Sequence, residues 1–341
     1  MLQTLIVGFG RAGRHLHWPC ILKARKLSSN RHLFDTTIGA VDPKFDHPGS
    51  LHNDSIHTFR NFASLKGFDP ASTVVHICTA PANHLSVLRQ VAELGYTKII
   101  VEKPLAMSMC EVNEIVRLQE KWNLDLLIVA VWIHSTLTRW LKEAINSHEF
   151  GPLCQLAFEQ HKSRVLQTLQ SPGHASAFDV ELPHQVALAL YLGGHKVQVL
   201  DAAVSDMQAG TMVIPYMGTA QMTLHHDSGL DSFLSSDLTA QNRKRSITLS
   251  FNEHTIKGCF PASGNISYSR LAVYDHNLHL LKSKVFEDDP LTTCFQEYYR
   301  YYNGEQHKPV SDLPFNAIVV SVLTRAKVLS GIPLPEDTGF D

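Results

Sequence analysis

The stretch that decides the fold runs LQTLIVGFGRAG, from Leu2 to Gly13. Its first half, Leu2 to Val7, is typical of a buried strand, and a helical pattern follows Gly13. In this context Gly8 permits the tight turn, Gly10 lets the backbone approach a pyrophosphate, and the last glycine lets helix and strand pack closely. An ordinary glycine-rich turn is the alternative. The predicted contacts to a dinucleotide are Gly8, Phe9, Gly10, Arg11, Ala12 and Gly13.

An acidic residue, Asp42, follows the next predicted strand, Thr37 to Val41. A carboxylate at this position can accept hydrogen bonds from a ribose diol, which favours NAD. The interval from Gly13 exceeds the usual spacing of about 20 residues, and the polar stretch Arg25 to Arg31 can loop out to absorb the excess. Lys44 keeps NADP possible, because a cation can pair with a 2′-phosphate. A solvated turn lysine is the simpler interpretation.

The length and patterning predict two domains. A chain of 341 residues exceeds the size at which single cores stop growing. Residues 1–125 alternate short apolar runs with amphipathic stretches, which predicts an α/β, doubly wound parallel sheet of the Rossmann type. Residues 126–341 predict an α+β domain with an open, mainly antiparallel sheet, for substrate binding and oligomerisation. We expect helix 317–329 to pack back on the first domain, and residues 163–178 to form a loop near the junction.

The individual elements follow from periodicity. Strands are predicted at 2–7, 37–41, 74–78, 99–101 and 126–131, then at 153–161, 198–206, 211–224, 246–251 and 271–274. Helices are predicted at 84–94, 112–122, 180–192, 292–302 and 317–329.

Composition excludes several classes of partner. A formal net charge of -2 offers no basic stripe for phosphates, which argues against nucleic acids and anionic membranes. No stretch approaches about 18 continuous apolar residues, and the apolar strand at the start lacks the flanks of a secretory signal. The six cysteines form no C-x-x-C pair, so they are interpreted as reduced core residues. We therefore expect a cytoplasmic protein with a small-molecule partner.

Two downstream segments carry a family resemblance, TAPANH at Thr79 to His84 and EKPLA at Glu102 to Ala106. With the glycine turn, they resemble the glucose-fructose oxidoreductase/inositol dehydrogenase (Gfo/Idh/MocA) family. In that family the first segment lines the cofactor and the second supplies an active-site lysine. Ala80 replaces a proline of the family pattern. The resemblance implies cofactor contacts from Thr79, Ala80, Pro81, His84, Glu102 and Lys103.

Lys103 is the first predicted catalytic residue. It follows a parallel strand at its carboxyl end, where open α/β sheets place ligands. Its ammonium group can hydrogen-bond the reacting hydroxyl and stabilise the alkoxide that forms as hydride leaves. A surface lysine paired with Glu102 is the alternative.

A histidine near the start of a second-domain helix, His184, is the predicted general base. The resemblance implies an acid beside it, but Val180 stands at the i−4 position where the family commonly has aspartate. Glu181 at i−3 shares a helix face with the histidine. Pro183 prefers the first helical turn, which leaves Glu181 in the preceding loop, so either Asp179 or Glu181 can reach the imidazole. With 20 histidines in the chain, a structural role is the alternative.

Substrate contacts are predicted from Lys103, Trp132, His134 and His184. Many relatives carry an arginine where His134 stands, so a contact made elsewhere by a permanent cation is here titratable or neutral. Trp132 can stack on a sugar or fill the core, and we favour the core.

No metal site is predicted. The adjacent histidines His225 and His226 point to opposite faces of a strand, and His15 and His17 lie two residues apart on a helix. Neither pair converges on one ion.

The resulting hypothesis is a homo-oligomeric (dimeric or tetrameric) NAD-dependent, or NADP-dependent, oxidoreductase that interconverts a secondary alcohol and a ketone on a polyol. The sugar, amino sugar or cyclitol substrate is implied by the resemblance alone. Two alternatives remain open: a catalytically silent dinucleotide-binding sensor or repressor, and a reductase of C=N or C=C bonds.

Overall fold

The computed structural model describes residues 1–45, 50–51, 56–170, 173–262 and 267–334. The chain forms two compact units. The first consists of Met1–Val129 with Leu291–Ala317, and the second of Ala130–Pro290 with the described residues from Ile318 on. The sequence placed the boundary at 125/126 and assigned 291–317 to the second domain, whereas the structure counts Leu291–Ala317 with the first unit. The predicted packing of helix 317–329 on the first domain stays a prediction.

The first unit is built on a seven-stranded sheet in the order β3-β4-β2-β1-β5-β6-β7. All neighbouring strands are parallel except the edge pair of β3 and β4. The six parallel strands follow the doubly wound order 3-2-1-4-5-6, which confirms the predicted Rossmann fold. The strands are β1 Leu2–Val7, β2 Phe34–Val41, β3 Ser50–Leu51, β4 Ile56–Phe59, β5 Thr73–Ile77, β6 Lys98–Val101 and β7 Asp125–Ile128.

The predicted helices lie close to observed ones, whereas the helix at Thr136–Ser147 was not predicted. The described residues form α1 Trp18–Lys26, α2 His84–Glu93, α3 Met109–Trp122, α4 Thr136–Ser147, α5 Val165–Gln170, α6 Leu182–Gly193, α7 Pro290–Tyr302 and α8 Leu313–Leu329. Local signals explain the boundaries of α3, because the Ser108 side chain accepts a hydrogen bond from Glu111 N, and Asn123 ends the helix in the left-handed conformation. Residues 163–178 were predicted to form a loop, but part of this segment forms helix α5. Residues 171–172 of the segment lie outside the described residues.

A π-helical turn, Gly13–His17, joins the glycine turn to α1. Pro19 stands in the first turn of α1 and has no N–H to donate. The N–H of Trp18 bonds to the carbonyl of Gly13, five residues back, which is the spacing of a π-helix. The turn places His17 on the sheet side of the helix, where its side chain is fully buried.

The second unit is built on an eight-stranded sheet in the order β17-β16-β15-β14-β8-β13-β12-β9. Only β8 and β13 are parallel neighbours, so the predicted open, mainly antiparallel sheet is confirmed. A separate hairpin joins β10 and β11. The strands are β8 Leu153–His161, β9 Val197–Val204, β10 Met207–Ala209, β11 Met212–Ile214, β12 Thr219–His226, β13 Asp231–Asp237, β14 Lys244–Phe251, β15 His254–Cys259, β16 Tyr268–Asp275 and β17 Leu280–Glu287.

One expectation for this sheet was wrong, and strands β13, β15 and β17 were not predicted. The single strand predicted at 211–224 is two strands, β11 and β12, separated by a turn in which Tyr216 has a positive φ of 58°. Strand β13 was not predicted, because serines fill buried positions: Ser232 and Ser236 are almost fully buried. Strand β17 is exposed along its length and lacks the apolar alternation that marks a half-buried strand.

Candidate active site

The three glycines of the first turn meet different surroundings. Gly8 has φ +89°, and a Cβ there would lie 2.9 Å from Thr79 N. A Cβ on Gly13 would lie 2.3 Å from the Gly8 carbonyl oxygen. A Cβ on Gly10 would meet no atom within 4 Å. Gly8 and Gly13 are therefore required by the fold itself, whereas Gly10 leaves an open space beside the backbone that a pyrophosphate can use.

The carboxylate of Asp42, directly after β2, is held in place by backbone groups. Its Oδ2 accepts a hydrogen bond from Phe9 N at 2.7 Å, and its Oδ1 accepts one from Lys44 N at 2.9 Å. Each oxygen keeps a lone pair for a further donor. The glycine turn and the predicted ribose-binding acid are thus joined, as a dinucleotide site requires.

The segment after β5 contributes an unsatisfied polar atom. Thr79 Oγ1 is buried and has no hydrogen-bond partner among the described residues. Because β1 and β5 flank the point where the strand order reverses, this hydroxyl lies at the edge where doubly wound folds bind nucleotides. The open space at Gly10, the fixed carboxylate of Asp42 and this orphaned hydroxyl all fit a dinucleotide.

His84 connects the two segments that carry the family resemblance. Its Nδ1 lies 3.1 Å from the Leu105 carbonyl and its Nε2 lies 3.1 Å from the Thr79 carbonyl. Burial lowers the pKa of His84, although the two carbonyls and the carboxylates of Glu102 and Glu111 oppose the shift. The ring lies between the two carbonyls, and the neutral imidazole donates a hydrogen bond to one of them. Its predicted cofactor contact stays a prediction.

Lys103 lies two residues after the end of β6 and is partly buried. Its backbone N–H donates to Glu102 Oε2 at 3.1 Å, and the Lys103–Pro104 peptide bond is cis. The lysine thus lies at the carboxyl edge of the parallel sheet, as do the glycine turn, Asp42 and Thr79. The first unit therefore places the glycine turn, Asp42, Thr79 and Lys103 along one edge of its sheet.

A buried hydrogen-bond series that the sequence analysis missed starts at Glu102. Glu102 Oε1 lies 2.9 Å from His17 Nε2, and His17 Nδ1 lies 2.8 Å from His76 Nδ1. His76 Nε2 lies 3.0 Å from the Tyr299 hydroxyl, which lies 2.6 Å from Thr4 Oγ1. The four contacts form one unbroken series from the Glu102 carboxylate to the Thr4 hydroxyl. The sequence signal that could have revealed this series is His76, a histidine within the otherwise apolar strand β5.

Two groups in this series, Glu102 and His76, have pKa values below their ordinary values, for different physical reasons. Burial raises the pKa of Glu102, but the hydrogen bond from His17 and the charges of His17 and Lys103 more than offset it, so the pKa lies below its ordinary value. Burial, and then the charge of His17, hold the pKa of His76 well below its ordinary value. Glu102 is therefore ionised and His76 neutral at neutral pH.

We expect His76→Phe to flatten the pH dependence of stability. Unfolded His76 binds a proton below about pH 6.5, whereas the buried imidazole does not, so acid favours the unfolded state and the free energy of unfolding falls below that pH. Melting temperatures measured between pH 7.5 and pH 5 should show a smaller acid-induced decrease in the variant than in the wild type.

Tyr299→Phe is the matched control for His76→Phe. It removes a hydrogen-bond partner of the same imidazole but leaves the imidazole in place. This control should melt at a lower temperature and keep the wild-type pH dependence. Equal pH dependence in His76→Phe and the wild type would contradict the prediction.

In the second unit, α6 begins as its proline indicated. Pro183 stands in the first turn and Glu181 is the N-cap residue, with His184 N bonded to Glu181 O at 3.1 Å. The nearby acids bind lysines: Asp179 Oδ1 lies 2.5 Å from Lys327 Nζ. Glu181 pairs with Lys162.

The carboxylates of Asp179 and Glu181 are thus each engaged by a lysine. Asp179 also closes a capping box with Ser176. The catalytic roles predicted for His184, Asp179 and Glu181 stay predictions. The sequence analysis predicted neither Lys162 nor Lys327 as a partner of these acids.

Trp132 and His134 lie on a short 3₁₀ helix, Val131–His134, and both are buried. The Trp132 ring packs against Phe260 at 4.8 Å between centroids and lies 6.3 Å from the His184 ring. Trp132 therefore fills the core, as we favoured, and also borders the surroundings of His184. The substrate contacts predicted for Trp132 and His134 stay predictions.

The two histidines of β12 have separate partners. His225 Nδ1 lies 2.7 Å from Asp231 on the exposed face. The buried His226 contacts the Gly194 carbonyl and Ser232 Oγ. Within the described part of the chain, no group of three or more His, Cys, Asp or Glu side chains is arranged to hold a metal ion. The described helices include none with the length and apolar character needed to span a membrane.

Comparison with known proteins agrees with this geometry. Residues 2–130 match the Gfo/Idh/MocA family model, described as an oxidoreductase family with an NAD-binding Rossmann fold. No curated protein matches the sequence significantly.

Solved structures share the fold over nearly the whole chain. A 3-ketoreductase from Actinomadura kijaniata, in complex with NADP and TDP-benzene, has a TM-score of 0.77 and 10% identity, covering 96% of this chain and 98% of that one. A UDP-N-acetylglucosamine 3-dehydrogenase from Acidithiobacillus ferrooxidans has a TM-score of 0.72 and 15% identity, covering 96% and 97%. An oxidoreductase from Agrobacterium radiobacter, in complex with NAD+, L-tartaric acid and magnesium, has a TM-score of 0.71 and 16% identity, covering 97% and 96%.

The fold and the first-unit site define an NAD(P)-binding oxidoreductase. Residues 2–130 match the Gfo/Idh/MocA family model, which confirms the resemblance based on Thr79 to His84 and Glu102 to Ala106.

Proposed function

We propose that the protein is an NAD-dependent dehydrogenase that interconverts a secondary alcohol and a ketone on a sugar, amino sugar or cyclitol. The observation that carries the proposal is the position of Lys103, two residues after β6 on the sheet edge that also holds the glycine turn and Asp42. The 3-ketoreductase and the 3-dehydrogenase of similar fold support alcohol and ketone chemistry on a sugar.

The residues that fit the dinucleotide are the glycine turn, Asp42 and Thr79. Bound there, its nicotinamide would accept a hydride from the substrate carbon or return one. In the proposed reaction, the Lys103 ammonium donates a hydrogen bond to the substrate oxygen and stabilises its developing negative charge. The imidazole of His184 takes the hydroxyl proton during oxidation and returns it during reduction. Asp179 and Glu181 support the start of α6, from which His184 projects.

The test is the absorbance of reduced nicotinamide with a panel of sugars, amino sugars and cyclitols, in both directions. The proposal requires turnover of at least one such compound. Saturable binding of NAD with no turnover of any alcohol or ketone would favour the silent sensor. Turnover confined to imines or activated alkenes would favour the C=N or C=C reductase.

The cofactor preference depends on Asp42. We expect the wild type to prefer NAD, because a carboxylate there binds the ribose diol and repels a 2′-phosphate. Asp42→Asn keeps the size of the side chain but removes its charge, and should reduce the preference for NAD over NADP about tenfold or more. Dissociation constants for both dinucleotides provide the measurement. A wild-type preference for NADP that Lys44→Gln abolishes would show that the lysine sets the choice.

Three further expectations stay predictions. They are a small-molecule polyol partner, a cytoplasmic location, and assembly into a dimer or tetramer. Light scattering that detects only a 38.1 kDa species would contradict the assembly.

A further inference from the structure

The carboxylate of Glu102 has a different partner for each of its oxygens. Oε2 accepts a hydrogen bond from the backbone N–H of Lys103 at 3.1 Å, and Oε1 lies 2.9 Å from His17 Nε2. Because an ionised carboxylate can only accept hydrogen bonds, His17 Nε2 is the donor. Only 13% of the Glu102 side chain is exposed. The carboxylate therefore connects the backbone of Lys103 to a side chain of the π-helical turn.

The imidazole of His17 is held firmly by its surroundings. Its side chain is fully buried, and its Nδ1 lies 2.8 Å from His76 Nδ1. The ring also packs against Phe295, with 4.6 Å between the centroids. A side chain in a close-packed interior, with a partner at each nitrogen, has little freedom to change its orientation. His17 is thus a fixed donor for Glu102 Oε1.

The backbone of Lys103 lies beyond the end of the sheet. The parallel ladder between β6 and β7 ends at the pair Val101 and Ile128. Past that point, the bond from Lys103 N–H to Glu102 Oε2 helps to hold the chain in place. A displacement of about 1 Å at a reacting group can lower a rate about 100-fold, so this bond matters if the lysine acts on a substrate.

The charges around Glu102 show what His17 contributes. Burial acts to raise the pKa of Glu102, and the hydrogen bond from His17 is the largest of the effects that lower it. The charge of Lys103 also acts on this carboxylate. If His17 no longer donated, Oε1 would be left in a partly buried position without that donor, and turning toward the Lys103 ammonium would satisfy it. Such a turn would break the bond to Lys103 N–H and occupy the ammonium group.

We propose that His17 is a positioning residue for Lys103, acting through the Glu102 carboxylate. The proposal rests on the proposed function, in which the Lys103 ammonium bonds the substrate oxygen. His17 holds Oε1, so Oε2 stays with the backbone N–H of Lys103 and the ammonium group remains available to the substrate. In this role the histidine touches neither substrate nor cofactor.

The experiment uses two replacements of His17 that each preserve one ring nitrogen. The amide nitrogen of glutamine can lie near the position of Nε2 and donate to Glu102, whereas asparagine matches Nδ1 and reaches only His76. With a substrate from the sugar panel, His17→Asn should lower kcat about tenfold and change the substrate KM and NAD affinity less than about threefold. His17→Gln should keep kcat within about threefold of the wild type.

The stability of the two variants separates positioning from a structural role. Each variant loses one buried hydrogen bond of the imidazole, so their melting temperatures should fall by similar amounts. A difference in kcat between them then follows from the bond to Glu102 and not from stability. NAD titration of each variant gives the concentration of folded sites to which kcat is normalised.

The backbone amide of Lys103 gives a readout that needs no turnover. In protein labelled with ¹⁵N-lysine, its resonance is the one that disappears in Lys103→Met. Hydrogen bonds to a charged acceptor are short and strong, so the amide proton should move upfield when Glu102 Oε2 leaves it. We expect this movement in His17→Asn, and a resonance near the wild-type position in His17→Gln.

Two further variants keep the test decisive. Thr4→Val breaks the buried series at its far end, where Thr4 Oγ1 lies 2.6 Å from the Tyr299 hydroxyl, and leaves the bond between His17 and Glu102 in place. It should lower the melting temperature without changing kcat or the Lys103 resonance. Glu102→Ala removes the carboxylate itself, should lower kcat as much as His17→Asn does, and carries the test if His17→Asn fails to fold.

Four results would overturn the proposal. They are wild-type kcat in His17→Asn, equal losses of kcat in His17→Asn and His17→Gln, a loss in Thr4→Val as large as that in His17→Asn, and wild-type kcat in Glu102→Ala.

The two readouts separate this inference from the proposed function. A Lys103 resonance that moves in His17→Asn alone, in a protein that turns over no alcohol or ketone, would support the positioning of Lys103 and contradict the dehydrogenase. Turnover that falls in Lys103→Met but not in His17→Asn would support the dehydrogenase and contradict the positioning.

Discussion

Replacing Lys103 by methionine is expected to lower kcat/KM for the proposed hydride transfer about 10³-fold, because one preorganised donor to a developing oxyanion contributes about 10²–10³. Affinity for NAD should change by less than about threefold, since the glycine turn and Asp42 remain in place. Steady-state kinetics with a substrate from the sugar panel and a separate NAD titration measure the two effects. A loss in kcat with little change in NAD affinity identifies the lysine with the chemical step.

Lys98→Met is the matched control for the lysine. Lys98 begins the same strand, β6, and its ammonium binds the Ala71 carbonyl at 2.6 Å. Its replacement removes an equal charge at the opposite end of the strand and should leave kcat within about twofold. If Lys103→Met retains wild-type kcat/KM, the lysine has no role in the reaction and the proposed chemistry is wrong.

The second large effect is expected from two alanine substitutions in the glycine turn. Gly10→Ala adds a methyl group that meets no protein atom within 4 Å, so the fold should be unchanged. The methyl group occupies the space left for the pyrophosphate, and NAD affinity should fall about 100-fold or more. Gly13→Ala puts a Cβ 2.3 Å from a carbonyl oxygen, and should prevent correct folding of the first unit.

Thermal melting and NAD titration of the two variants distinguish these outcomes. Gly10→Ala should melt within a few degrees of the wild type and bind NAD poorly. Gly13→Ala should show no cooperative melting at the wild-type temperature. Full NAD affinity in Gly10→Ala would mean that the dinucleotide does not approach this turn.

The sequence predicted the sheet edge well because each part is a local pattern. A strand, three glycines and a following helix are contiguous between Leu2 and Lys26, and Lys103 lies within a short recognisable segment. By contrast, the series from Glu102 through His17 and His76 ends at a hydroxyl pair, Thr4 and Tyr299, whose members are 295 residues apart. Local periodicity carries no information about such a contact.

The second unit shows the same limit. Strand β8 was predicted with its observed bounds, because apolar and polar residues alternate along it. The partners of Asp179 and Glu181 were not, because Lys327 lies in the last turn of α8 and Lys162 follows β8.

Helix α7 has a consequence for how the protein is made. Its tyrosines close the first unit from the far end of the chain: Tyr298 donates to the Ile128 carbonyl, Tyr299 meets Thr4, and Tyr302 donates to the Ile99 carbonyl. During synthesis, the ribosome releases Met1–Val129 and then the whole of Ala130–Pro290 before these tyrosines emerge. The nucleotide-binding unit therefore cannot complete its core as a nascent amino-terminal domain, and its final folding step must await the translation of α7.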